Sequence, residues 1–103
     1  MEKLLPVGSV LYLQEGTMPL VITGVAQFVE NPEIKNEKLT YFDYAGSIYP
    51  QGAMAGNTFY FNQDSVAKVL FTGYESEQHD RYLDAVAEWK EKNADTFILG
   101  KVE

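Results

Sequence analysis

The chain contains no cysteine, which excludes disulfides and thiolate metal sites and fits a reducing compartment. Bases are scarce as well, eight Lys and Arg against fifteen Asp and Glu, for a net charge of −7. The excess acid is spread along the chain. A field of this sign repels nucleic-acid phosphates and anionic lipid heads, so neither is an expected partner. Long hydrophobic runs are missing too. The longest nearly apolar stretch, Pro19 to Val29, is far too short to cross a bilayer as a helix. The N-terminus, Met1-Glu2-Lys3-Leu4-Leu5-Pro6, lacks a basic region followed by an apolar run, so no signal peptide is expected and a cytoplasmic location is. There is no Gly-Lys-Ser/Thr phosphate loop and no Gly-x-Ser-x-Gly nucleophile turn.

What the chain does have is aromatic surface. Aromatic residues make up 14% of it, which favours strands and contact surfaces. With 103 residues, 46% of them hydrophobic, the chain is expected to form one domain over 1–103 with a single core.

Short β-branched and aromatic runs separated by turn residues predict strands at Ser9–Leu13, Leu20–Val29, Leu39–Ala45, Thr58–Phe61 and Lys68–Thr72. In Leu20–Val29, Leu20, Ile22, Ala26 and Phe28 share one face, while Val21, Val25 and Val29 share the other. Gly24 marks a place for a bend or bulge. Residues 30–38 are polar and contain Asn31-Pro32, which predicts a surface loop. Gly46–Gly56 reads as a long turn, and Asn62 or Asp64 as the cap of a single helical turn through Ala67. From Glu75 the period becomes helical. Acids crowd the first turn, Lys90 and Lys92 the last, matching the helix dipole, and Asn93 is the expected stop. Phe97-Ile98-Leu99 follows as an edge strand or a docked segment. The predicted class is α+β: a small, curled, mostly antiparallel sheet of about five strands with one C-terminal amphipathic helix packed on it. Strands with two apolar faces and a single long helix leave either a half-barrel or apolar surface for a partner.

Little in the sequence suggests chemistry. His79, the only histidine, lies at the helix start near Glu75 and Asp80. A metal site would need three or four convergent ligands, and the plainer reading is a solvated first turn. Asp43, between Phe42 and Tyr44, could serve as a general acid if buried, but no second carboxylate accompanies it and strand alternation points it to solvent. Tyr41, Tyr44, Tyr49 and Tyr60 resemble a base-stacking surface without the interleaved bases such a surface requires. No cofactor or metal is expected.

Several segments carry a family resemblance: Leu4-Leu5-Pro6-Val7-Gly8-Ser9-Val10; Tyr41 to Gly52, around Asp43-Tyr44-Ala45-Gly46 and Tyr49-Pro50-Gln51-Gly52; Phe61-Asn62-Gln63-Asp64; and Val69-Leu70-Phe71-Thr72-Gly73-Tyr74-Glu75. In order and spacing the chain resembles the Gram-positive family known as domain of unknown function 4176. That family resembles, in its context, accessory proteins of type VII secretion systems and their LXG-type toxins. The resemblance implies a cytoplasmic, non-enzymatic chaperone or targeting factor that binds such a toxin before export. It brings no catalytic residues with it.

The expected binding residues are Tyr41, Asp43 and Tyr49, displayed from a corner where Phe42 and Tyr44 point inward, and the edge Phe97, Ile98 and Leu99, where a partner strand can add. An immunity protein that neutralises a cognate toxin is the second reading, and a small enzyme using Asp43 and His79 the third. Partner identity, binding surface and oligomeric state stay open at this level.

Overall fold

The computed structural model describes residues 3–14, 16–29, 39–53, 55–56 and 58–99. The loop expected over 30–38 lies outside them. Six strands form one sheet: β1 (Val10–Leu13), β2 (Leu20–Val29), β3 (Leu39–Ile48), β4 (Phe59–Phe61), β5 (Val66–Phe71) and β6 (Phe97–Leu99). The order is β4-β3-β2-β1-β5, and β6 pairs with β3 beside this path. All pairings are antiparallel except β3 with β6, which is parallel. The architecture is thus α+β and mostly antiparallel, with six strands where about five were expected. The additional strand is β6, which lies along Leu39–Tyr41, while β4 lies along Tyr44–Gly46 on the same strand.

The helix α1 (Glu77–Lys92) begins where Ser76 takes an extended conformation and its hydroxyl accepts the His79 N–H. That bond satisfies one of the orphan donors of the first turn. Asn93 ends it, its side chain donating to the Trp89 carbonyl. Leu83 and Val86 pack on the buried cluster of Leu11, Leu20, Ile22, Val25, Ala26, Tyr41, Tyr44 and Phe61. At one end of the helix, rings close the core. Phe28 lies 5.0 Å from Tyr41, 4.7 Å from Trp89 and 5.3 Å from Phe97 between centroids. These are tilted and edge-on contacts of the favourable kind.

Three local readings are corrected. β3 does not stop at Ala45 but continues through Gly46-Ser47-Ile48. Gly46 is a packing glycine: a Cβ there would lie 3.0 Å from both the Phe61 ring and the Val21 carbonyl. Val25 joins Leu20 and Ile22 in the core because the β2–β3 register shifts between Ile22 and Gly24. One extra residue, Thr23, inverts the alternation beyond it. Tyr41 also faces the core, three residues from Tyr44. Strict alternation would separate them, but Ala26 on the neighbouring strand adopts φ 57° and bends the ladder between Val25↔Tyr44 and Phe28↔Tyr41. At the same bend the Val25 carbonyl accepts the Tyr82 hydroxyl at 2.7 Å, tying the helix to the sheet.

Candidate functional site

The segments singled out in the sequence converge as joints between elements. The Tyr44 hydroxyl accepts the Leu5 N–H at 2.8 Å and donates to the Gln63 side chain. The ring is fully buried, so one phenol fastens the N-terminal segment, β3 and the turn after β4. Ser9 performs a similar task at the other end. Its buried hydroxyl donates to the Pro6 carbonyl at 2.8 Å and accepts the Gly73 N–H at 2.9 Å. Gly73 admits no side chain, since a Cβ there would lie 2.5 Å from the Val7 carbonyl.

The proposed chemical residues are committed to structure. Asp43 accepts the Gln63 N–H at 2.8 Å with its carboxylate, while its own N–H donates to Asn62 Oδ1 at 2.9 Å. It therefore clamps β3 to the turn of Gln63–Ser65 instead of pointing freely to solvent. Asn62 serves this clamp and makes no side-chain cap of that turn. His79 is half-buried, not solvated. Its Nε2 lies 2.9 Å from the Leu4 carbonyl and donates to it. Among the described residues no three His, Cys, Asp or Glu side chains gather as metal ligands.

The surface candidates separate. Tyr41, expected on display, is only 3% exposed. Its ring lies under the helix, with the Lys90 ammonium 3.9 Å above its centroid, a cation–π contact. Burial, aided by the Asp43 carboxylate, pushes its phenol well above the ordinary tyrosine range. Phe97 faces the same aromatic cluster and Ile98 is half-buried, while Leu99 is 68% exposed. Tyr49 is the member of the corner that is displayed, at 48% exposure, and its N–H donates to the Pro19 carbonyl at 2.9 Å. The Tyr49–Pro50 peptide is cis.

Tyr49 also borders a feature that the sequence reading did not locate. Leu11 pairs with Leu20 in the core, so the adjacent pair Val10↔Val21 points to the opposite face. Phe71 pairs with Val10 from β5. These residues, with Gly8, Pro19, Tyr49 and Leu70, line an open groove of about 540 Å³. Val10 and Val21 come from β1 and β2, Pro19 and Tyr49 from the residues just before β2 and just after β3, and Leu70 and Phe71 from β5. Phe71 is 62% exposed, and Val69 and Leu70 are exposed beside it. Among the described residues that line the groove, none carries a carboxyl, imidazole or amine. This lining is suited to taking apolar side chains, and among the described residues its one polar side chain is the Tyr49 phenol. The signal for it in the sequence was Val69-Leu70-Phe71, apolar on both faces of its strand.

A second, smaller depression of about 190 Å³ lies around Leu13, Met18, Leu20, Ile48 and Phe59. Among the described residues no helix is long and apolar enough to cross a membrane. No curated protein and no solved structure matches the chain. The family model described as domain of unknown function (DUF4176) matches residues 4–82, and these residues include the Tyr44, Ser9 and Asp43 joints and the whole groove: the chain belongs to this family.

Proposed function

We propose that the protein is a non-enzymatic binding protein that holds a segment of another protein in the cytoplasm before that protein is exported. The observation that carries this reading is the groove of Val10, Val21, Tyr49, Leu70 and Phe71. It is apolar, open and of the size that accommodates one or a few large side chains. The resemblance to type VII accessory factors supplies the partner class, an LXG-type toxin. The charge of −7 argues against nucleic acid or an anionic membrane in that role.

Two docking modes compete, strand addition at β5 and insertion of side chains into the groove. β5 is the terminal strand of the described sheet path, but it presents Lys68, and its register against β1 shifts twice. Edge lysines and bulges are the usual devices that discourage strand addition. Groove docking is therefore favoured, with Tyr49 and Phe71 as anchors.

The test is co-expression with a neighbouring LXG-type toxin. A complex that survives size exclusion, is lost with Phe71→Glu, and is needed for toxin accumulation or export supports the proposal. Absence of a complex, together with unchanged toxin level and export in a deletion strain, refutes it. Protection of intoxicated cells without any effect on export would assign the protein to immunity instead.

A further inference from the structure

At the end of the groove that starts with Gly8, a tight backbone contact brings two exposed apolar residues together. A Cβ on Gly73 would lie 2.5 Å from the Val7 carbonyl and 3.1 Å from the Gly8 backbone carbon. Beside these glycines stand Val7, 57% exposed, and Tyr74, 84% exposed. The patch therefore holds both a hollow and a projecting ring. An isologous interface demands this combination, because each copy must present both partners of every contact.

We infer that, in the absence of another partner, the groove is filled by a second copy of this chain, in a two-fold dimer that lays Phe71 and Tyr74 of each copy against the groove of the other. With a large side chain contributing about 150–250 Å² when uncovered, the exposed parts of Val7, Tyr49, Leu70, Phe71 and Tyr74 reach at most about 450–750 Å² per copy. Two such patches fully covered bury at most about 900–1,500 Å², which reaches the lower part of the range for specific interfaces. Each copy carries −7, so like charges oppose association and the apolar contact must overcome them. Salt screens that repulsion over about 10 Å at 0.1 M, so the dimer gains stability as ionic strength rises.

The inference concerns the groove of the proposed function but not the identity of its exported partner. Its failure leaves the co-expression result untouched, and a missing toxin complex leaves the dimer untouched. The experiment is light scattering on the purified full chain across micromolar concentrations, at low and moderate salt. The expected mass rises toward twice 11.6 kDa with concentration and with salt. Tyr74→Ala, at a position that contributes almost nothing to the fold, is expected to weaken the dimer at least tenfold, and Phe71→Glu to abolish it while leaving circular dichroism unchanged. A monomer under all these conditions overturns the inference. So does a dimer that both variants preserve, a dimer that salt dissolves, or a monomer that purifies with a small apolar molecule released on denaturation, which would assign the groove to such a ligand.

Discussion

The two faces of this sheet carry similar residues and have opposite fates. On one, Phe28, Tyr41, Tyr44 and Phe61 are covered by α1, β6 and one another. On the other, Val10, Val21, Tyr49, Leu70 and Phe71 face an open groove. Both sets are apolar and aromatic, so hydrophobicity alone does not distinguish them. The difference is in polar fastening. The covered face is pinned by part-buried side-chain hydrogen bonds from Tyr44, Tyr82 and Asp43, whereas the described residues lining the groove of the open face offer hydrocarbon and one phenol. A surface pinned this way specifies the fold, and the open face leaves its apolar side chains to solvent.

Substitutions can break this contrast. The largest effect is expected from Tyr44→Ala, which removes a fully buried ring and the anchor of Leu5, lowering stability by about 3–5 kcal/mol in denaturant unfolding. Ser9→Ala leaves the buried Gly73 N–H without its acceptor and should cost about 1–3 kcal/mol. Ser76→Ala removes the helix cap and should cost about 1 kcal/mol, loosening the cover of the closed face. Titration reports on the same cover. The Tyr41 phenol is raised in the folded state, so its contribution is intact below about pH 10 and is lost as pH climbs beyond it. Tyr41→Phe should flatten that part of the alkaline unfolding curve. The smallest stability effect belongs to the open face: Phe71→Glu should stay within about 0.5 kcal/mol of the parent even as it is expected to remove the proposed binding. A large loss of stability there would end the distinction between the two faces.

Much of this was legible in the sequence, for identifiable reasons. The helix was visible from its period and from the charges at both ends, and β2 from its β-branched run. Of the three residues expected on display at the corner, Tyr41, Asp43 and Tyr49, the exposed one is Tyr49. The burial of Tyr41 was not legible, because the cause, Ala26 in a left-handed conformation, sits on the neighbouring strand and has no signature in the residues around Tyr41. Gly46 looked like a turn residue because the ring that requires it, Phe61, lies fifteen positions on and arrives with β4. The groove was foreshadowed only as surplus apolar surface. Its lining comes from β1, β2 and β5 and from the residues after β3, and the pairing of Val10 with both Val21 and Phe71 gathers them.

The register shift at Thr23 has a consequence for chain length. Before it Ile22 stands opposite Gly46, and after it Gly24 stands opposite Ala45, so Thr23 is a spare residue absorbed by the ladder. Deleting it leaves every later pair in place, with Val25 still beside Tyr44. The same deletion at Gln27 would turn Phe28 away from Trp89, because a one-residue slip exchanges the two faces of a strand. β2 therefore has one site where its length is negotiable, and it lies on the half of the strand nearest the groove. In that half, the chain can shorten without disturbing the aromatic core.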